Sequence, residues 1–461
     1  MELIWSTVLT VWGWLLDHLL YINLAFSIII IFFQRRDPRS VWTWLLALYF
    51  IPVFGIVFYL LFGQDMKKSR MFRVKEVSDR LNLPVKSQED IIRSDDMPEE
   101  MMDPMSRDFK SLIIYNLETS GSVLTVNNQV QIYTDGQAKF EALRNALRQA
   151  RRFIHIQYYI IKNDELFDSI VPILLDKVRE GVEVRILCDG MGGRFMPKKR
   201  WDQMRSAGIK VGVFFPPFLG WLNLRVNYRN HRKIVVVDGN TGFVGGFNIG
   251  REYISRDPKF GYWRDTHLEI KGEAAISLQI RFALDWNYVT GENLFKEIRY
   301  FGEEAEYARR RLNGQIHAVW PDPDHVNEMV CMQIITSGPD TREPHIRNNY
   351  LELFHKARHH IYIQTPYFIP DDAILSALKI AAQSGVDVRL MIPCKPDHPF
   401  VYWATCSYAG ELLDYGARCY VYENGFLHSK GVMVDGQVSC YGTANMDIRS
   451  FELNFEVNAT I

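Results

Sequence analysis

The 461-residue sequence is poor in cysteine, has almost no net charge and lacks the loops that grip nucleotides. Its six cysteines, Cys188, Cys331, Cys394, Cys406, Cys419 and Cys440, include no C-x-x-C pair, which excludes a zinc knuckle and a disulfide-rich secreted scaffold. Reduced, mostly buried thiols are expected. Lys and Arg total 53 against 54 Asp and Glu, so no global field draws the chain to nucleic acid. There is no G-x4-G-K-[ST] loop, and DGMGGR (189–194) is only a glycine-rich turn. No His, Asp or Glu cluster has metal-ligand spacing, so neither a cofactor nor a metal is expected. No Lys or Arg precedes Arg35, which argues against a cleaved signal peptide.

What is present is unevenly spread. Leu3–Phe33 is apolar except for Ser6, Thr7, Thr10, Asp17, His18, Asn23 and Ser27, and Val41–Phe62 carries no charge. About 20 apolar residues cross a bilayer. Residues 1–64 are therefore expected to form two transmembrane or interfacial helices, with Trp5, Trp12 and Trp14 at headgroup depth. The connector QRRDPRS is net +2 and Asp65–Lys75 net +4. Positive-inside bias then leans towards a multi-pass protein of the cell (inner) membrane with a cytoplasmic body. Residues 65–125, acidic and Met-rich around KSQEDIIRSDDMPEEMMDPMSRD, read as a solvated linker, packed in places.

The rest of the chain repeats itself. ARRFIHIQYYII (150–161) resembles ARHHIYIQTPYF (357–368), EGVEVRIL (180–187) resembles SGVDVRLM (384–391), and HRKIVVVD (231–238) resembles HSKGVMVD (428–435). Spacings near 200 residues are far beyond solenoid periods and indicate two domain-sized copies of one unit. Leu166, Ile170, Ile173, Leu174 and Val178 follow a helical period that stops at Gly181. Strand, helix, strand is the simplest reading, which makes each copy a helix-covered sheet.

The third repeated element carries the chemistry. His231-x-Lys233-x4-Asp238 leads to Asn248 through Gly245-Gly246, and His428-x-Lys430-x4-Asp435 leads to Asn445 through Gly442-Thr-Ala. On a strand, His and Lys two residues apart project from one face. Asp ends the strand at a D-G turn, and the small residues before Asn let a second strand approach closely. Each copy thus offers a nucleophile or proton donor, a cation and an amide. Two copies meeting face to face suit a phosphodiester, which has two ester bonds and two non-bridging oxygens. A single H-x-K would be worth little, because a satisfied surface His beside a solvated Lys is common; two full copies are hard to obtain by packing alone.

These paired elements resemble the HKD motifs of the phospholipase D superfamily. The apolar segment with ALYFIPVFGIVFYLLFG (47–63), both repeats in order and RSFELNFE (449–456) resemble bacterial cardiolipin synthases over nearly the whole chain. Family members usually continue past the strand at Ile461, so the second repeat is expected to stop short. The resemblance implies an α/β fold in which the N-terminal hairpin precedes two α-β-α sandwich repeats, 126–325 and 326–461, packed as a pseudo-dimer. It implies phosphatidyl transfer between two phosphatidylglycerol molecules, giving cardiolipin and glycerol through a phosphohistidine. His231 would be the nucleophile and His428 the acid/base, a choice that the residues alone leave open. Lys233, Lys430, Asn248 and Asn445 would hold the non-bridging oxygens. Asp265 and Glu456, early in alternating strands, would stand behind the imidazoles as in a triad, pairing across the site. Asp238 and Asp435 complete the motifs and are expected to support strand ends.

The stretch 194–233 holds ten Lys/Arg against Asp202, interrupted by VFFPPFLGWLNL (213–224). Exposed Phe214, Phe215, Phe218 and Trp221 beside these cations would suit an anionic lipid surface, although such rings are often core. The expected partners are phosphatidylglycerol and anionic membrane lipid, not nucleic acid. A phospholipase D-type hydrolase, transfer to another lipid alcohol, a membrane-tethered nuclease and a non-catalytic scaffold are the rival readings.

Overall fold

The computed structural model describes residues 13–14, 17–33, 38–62, 108–216, 227–301 and 329–461. The chain divides into two compact units, Met1–Val77 and Ser78–Ile461.

In the first unit, α1 (Leu19–Ile28) runs into a π-helical turn, Ile29–Phe33. Two further helices follow, α2 (Pro38–Phe50) and α3 (Pro52–Phe62). The charge-free run read as one span is thus broken at Pro52, which has no N–H to donate and whose ring crowds the preceding turn. The chain folds back there: the Trp44 and Tyr59 rings meet edge-on at 5.4 Å, around a small core of Ile30, Leu48 and Tyr59. Asn23 Nδ2 donates to the Leu48 carbonyl at 3.0 Å and ties α1 to this pair. Among the described residues, no helix is long and apolar enough to cross a membrane. Leu20, Tyr49, Phe50 and Phe54 nevertheless stay largely exposed.

The second unit is built on a mixed sheet of 16 strands. The first repeat supplies β1 (Leu124–Asp135), β2 (Phe153–Tyr158), β3 (Glu183–Asp189), β4 (Lys210–Phe214), β5 (Arg229–Asn230), β6 (Ile234–Val237), β7 (Thr241–Gly245) and β8 (Trp263–Gly272). The second supplies β9 (Val330–Ser337), β10 (His360–Gln364), β11 (Phe368–Ile369), β12 (Asp387–Pro393), β13 (Arg418–Tyr422), β14 (Phe426–Leu427), β15 (Gly431–Val434), β16 (Val438–Gly442), β17 (Met446–Asp447) and β18 (Asn454–Thr460). The main path runs β13-β12-β10-β15-β16-β18-β9-β1-β8-β7-β6-β2-β3-β4, with β11 and β17 forming a separate pair. Read outward from the β9–β1 seam, both halves give the same order of counterparts. The repeats are therefore joined edge to edge, with Leu124 opposite Gln333 and Thr125 opposite Met332.

Two short strands break this separation. β5, just before His231, pairs in parallel with β18 of the second repeat, and β14, just before His428, pairs in parallel with β8 of the first. Each histidine thus follows a short strand that is paired to a strand of the opposite half.

Helices cover the sheet because its faces are apolar on both sides. Val235 and Val237 join one core with α5 (Gly136–Gln149) and α6 (Glu165–Arg179), whereas Ile234 and Val236 join another with α7 (Glu273–Thr290). Asp164 caps α6 by accepting from the Leu166 and Phe167 N–H groups, and Leu166, Phe167, Ile170, Val171 and Leu174 face the sheet. The second half repeats the plan: Asp371 caps α9 (Asp372–Gln383), which packs in one core with α8 (His345–Lys356) and α10 (Pro399–Leu413). The segment read as linker is not all linker. Its last part forms α4 (Lys110–Ser120), whose Leu112 enters the core of the second repeat and whose Asn116 donates to Gln333 and Asn349.

The aromatic interruption between the cations also differs from its lipid-facing reading. Phe214 and Phe215 are buried, against Tyr288 and Phe455. Phe218 and Trp221 lie outside the described residues.

Candidate active site

The exchanged strands place an acid behind each imidazole by simple register. The His231 N–H donates to the Phe455 carbonyl at 2.9 Å, so the next residue of β18, Glu456, stands beside the ring. His428 N–H donates to the Arg264 carbonyl at 2.7 Å, which puts Asp265 of β8 in the same relation to it. His231 Nδ1 lies 2.9 and 3.0 Å from the Glu456 oxygens, and His428 Nδ1 lies 2.6 Å from Asp265 Oδ2. An ionised carboxylate only accepts, so Nδ1 of each ring carries the proton and Nε2 is left for the cleft. Both acids are fully buried; the imidazole side chains keep 13% and 11% of their surface exposed.

The close approach rests on small residues. A Cβ on Gly246 would overlap the Asp265 carboxylate, so a glycine there is what lets Asp265 reach His428. On the second side, Gly442 lies against Asn458 and Val457 of β18, the strand that carries Glu456.

Lys233 and Lys430 are buried two residues after their histidines, in the short segments that join β5 to β6 and β14 to β15 outside the strands themselves. Lys233 Nζ donates to the His231 carbonyl at 2.7 Å; Lys430 Nζ donates to the His428 carbonyl and lies 2.8 Å from His428 Nδ1. Burial pulls Lys233 down to about 7 and Lys430 to about 8, against the upward pull of the carboxylates nearby. Burial, reinforced by Lys430, also lowers His428 to about 4, and burial lowers His231 despite Glu456. Burial would raise the two acids. Lys430 and His428 nevertheless hold Asp265 below the usual carboxylate range, and His231 and Lys233 do so for Glu456. The cation of each motif acts electrostatically on the imidazole of the other, so the two halves form one electrostatic unit.

The motif aspartates are elsewhere. Asp238 and Asp435 end the strands seven residues after the histidines, about 20 Å away at strand rise. Asp238 accepts from the backbone N–H of Arg151, Arg152 and Phe153 at 2.8, 2.7 and 2.9 Å, and Asp435 from those of Arg358, His359 and His360 at 2.8, 2.9 and 2.7 Å. Both take left-handed φ values, 54° and 55°, which Asp tolerates better than most residues. They clamp the strand end to the start of the neighbouring strand.

The asparagines also differ from the expected pair of free amide donors. Asn248 Oδ1 accepts from the Ile160 N–H at 3.1 Å and its Nδ2 donates to Tyr253 OH at 3.0 Å, so it positions Tyr253. Asn445 is buried, and among the described residues its side-chain oxygen has no partner. Several cations counted as surface charge are interior: Arg232 donates to Asp285 at 2.9 and 2.7 Å, and buried Arg229 stands 3.7 Å from Asp189.

Aromatic walls were not foreseen. Tyr159 packs edge-on to His231 at 5.1 Å, and Trp263 and Tyr253 lie 5.0 and 6.4 Å from His428. The only signal was the tyrosine pair at the end of IHIQYYII and the WRD that opens β8. Among the described residues, no three His, Cys, Asp or Glu side chains stand together as a metal site.

The family description "Cardiolipin synthase, PLD-like domain" matches residues 143–267 and 350–461, which contain both motifs and both carboxylates. The chain belongs to the cardiolipin synthase family. The description "Phospholipase_D-nuclease N-terminal" matches residues 22–64. This cardiolipin synthase family member is 44% identical to the major cardiolipin synthase ClsA of Bacillus subtilis (strain 168), over 97% of this chain and 89% of that one. It is 46% identical to the cardiolipin synthase of Staphylococcus aureus (strain Mu50), over 95% of this chain and 85% of that one. Its fold is similar to that of phosphatidylserine synthase from Haemophilus influenzae Rd KW20, at a TM-score of 0.54 and 16% identity, covering 78% of this chain and 86% of that one.

Proposed function

We propose that the chain is a cardiolipin synthase that transfers the phosphatidyl group of one phosphatidylglycerol to a hydroxyl of another, releasing glycerol. The observation that carries this reading is the exchange of carboxylates between repeats: Glu456 orients His231 and Asp265 orients His428, so neither imidazole is set by its own half alone. His231 Nε2 attacks phosphorus, and the bond to the first glycerol oxygen breaks as His428 Nε2–H protonates that oxygen. The second lipid's hydroxyl then loses its proton to His428, and its oxygen displaces His231 from phosphorus. Atoms balance, and one ester is exchanged for another, so no nucleotide is consumed.

His428 is neutral at pH 7 on its own, since burial pulls its value down to about 4. A bound phosphodiester brings one negative charge near His428 and both lysines, which favours their protonated forms, while His231, held down by burial, keeps the free Nε2 that attacks. Substrate thereby supplies the field that charges the acid.

Membrane association is supported by the exposed apolar faces of α1–α3 and by Phe400 and Trp403, 90% and 70% exposed at the start of α10. The basic flanks at 35–39 and 67–75 support a cytoplasmic body.

The test is to give the purified chain phosphatidylglycerol labelled in the phosphatidyl phosphate, quench early, and look for acid-labile label on protein. Cardiolipin and glycerol should form in equal amounts, and His231→Ala should lose both label and turnover. Label surviving in that variant would overturn the nucleophile assignment, and phosphatidic acid as the main product would favour a hydrolase.

A further inference from the structure

The two walls of the site are not equivalent, although the repeats are. On the His231 side, where Glu456 meets the imidazole, Tyr159 lies in the field of Arg449, Arg194 and an Arg229 that stands 3.7 Å from Asp189. Around Lys430 more carboxylates gather: beyond Asp265 and Glu456, those of Asp397 and Asp447 act on it, whereas Lys233 has Glu456, Asp265 and Asp189 with Lys430 opposing them. β11 and β17 bring this second wall together. They pair in parallel, Phe368 with Met446 and Ile369 with Asp447, so Tyr367 precedes one strand as Asn445 precedes the other. Tyr367 OH donates to Asp397 Oδ2, and the His398 N–H donates to Asp397 Oδ1 at 2.8 Å.

An unpaired atom shows which groups this wall is built to meet. Asn445 is 5% exposed, its amide favours the charged Asp447 carboxylate, which also accepts from the Ser450 N–H at 2.7 Å, and among the described residues its Oδ1 has no partner. A carboxylate accepts only, so the amide nitrogen faces Asp447 and the atom left over is an acceptor. Its counterpart Asn248 is satisfied at both ends. A buried acceptor beside the Asp447 carboxylate, on a wall whose Lys430 also feels Asp397, calls for a donor without negative charge, which describes an alcohol and not a phosphate.

We infer that Asn445 Oδ1, Asp447, Asp397 and Tyr367 form a polyol subsite that takes the glycerol hydroxyls of the acceptor. The inference rests on the proposed transfer reaction and adds which wall selects the acceptor. The subsite serves twice, because leaving glycerol and attacking headgroup both occupy the side of phosphorus opposite His231, where His428 stands. The cationic wall is left to the anionic donor.

The experiment uses phosphatidyl-p-nitrophenol, a donor whose leaving group carries no additional hydroxyl, with glycerol and ethanol competing as acceptors. Nitrophenol release that depends on His231 reports the proposed reaction; without it, that reading fails and takes the subsite with it. Given release, Asp397→Asn should lower the glycerol-to-ethanol product ratio at least tenfold, and Tyr367→Phe should lower it less. An unchanged ratio would overturn the subsite, whether total rate holds or falls, because a purely structural defect slows both acceptors alike.

Discussion

Glu456, in the last strand of the second repeat, accepts the Nδ1–H of His231 in the first at 2.9 Å, and Asp265 returns the relation to His428 at 2.6 Å. The orienting acid of each imidazole is therefore a product of the repeat interface. Glu456→Gln keeps the size and removes the charge that fixes the tautomer. It should lower kcat by about 10²–10⁴-fold with KM little changed. Steady-state assays of correctly folded variant provide the check; a loss confined to KM would place Glu456 in substrate binding instead.

Gly246→Ala is a second route to the same carboxylate. The added methyl would collide with Asp265 and push it off His428. The expected result is a rate at least 100-fold lower with a near-native circular dichroism spectrum. Activity within threefold of the parent would mean that the strands can part without cost.

Asp238→Ala should behave in the opposite way. It leaves three backbone N–H groups without their acceptor and places Ala at a left-handed φ of 54°. A loss of about 2–4 kcal/mol of stability is expected. Thermal unfolding in detergent should show it, while turnover per folded molecule stays within about threefold. A specific collapse of kcat at full stability would return Asp238 to the site.

Anion binding should weaken from neutral pH upward. Lys233 and Lys430 are pulled down to about 7 and 8, so each sheds its proton far below the ordinary lysine range. Binding a phosphodiester favours the charged lysine, so protons are taken up on binding and affinity falls as pH rises through about 7–8. Calorimetry in two buffers of different ionisation enthalpy measures that uptake directly. Zero uptake at pH 8 would contradict it.

Acid should destabilise the fold before most carboxylates titrate. Burial holds His155 at about 3 and His428 at about 4, whereas the unfolded chain binds these protons near 6.5. Below 6.5 the unfolded state therefore carries the extra protons, and each histidine costs about 1.4 kcal/mol per pH unit until its folded value is reached. Asp447, raised to about 6 by burial, works the other way between that value and the ordinary carboxylate range. The net prediction is a midpoint that falls steadily from pH 6.5 to 4, read by thermal unfolding across that range.

Much of this arrangement was written along the chain. The His-x-Lys alternation, the D-G turns and the glycines before each Asn are local patterns, and their duplication near 200 residues marks two copies of one unit. Asp265 and Glu456 could be proposed from the family resemblance and from their place in alternating strands.

Other features depended on contacts that no local pattern encodes. Pro52 was visible, yet only packing of Tyr59 on Trp44 turns its break into a fold-back. Phe214 and Phe215 look like a lipid-facing pair until Tyr288 and Phe455, distant in sequence, cover them. Arg232 looks like one more surface cation until Asp285 meets it in the interior. The unequal walls are of the same kind. Sequence periodicity reports which face of an element is buried, because burial is set by neighbours three or four positions away or on alternate residues. Which partner lies across that face is set by the pairing of β5 with β18 and β14 with β8, a long-range choice that only the folded chain makes.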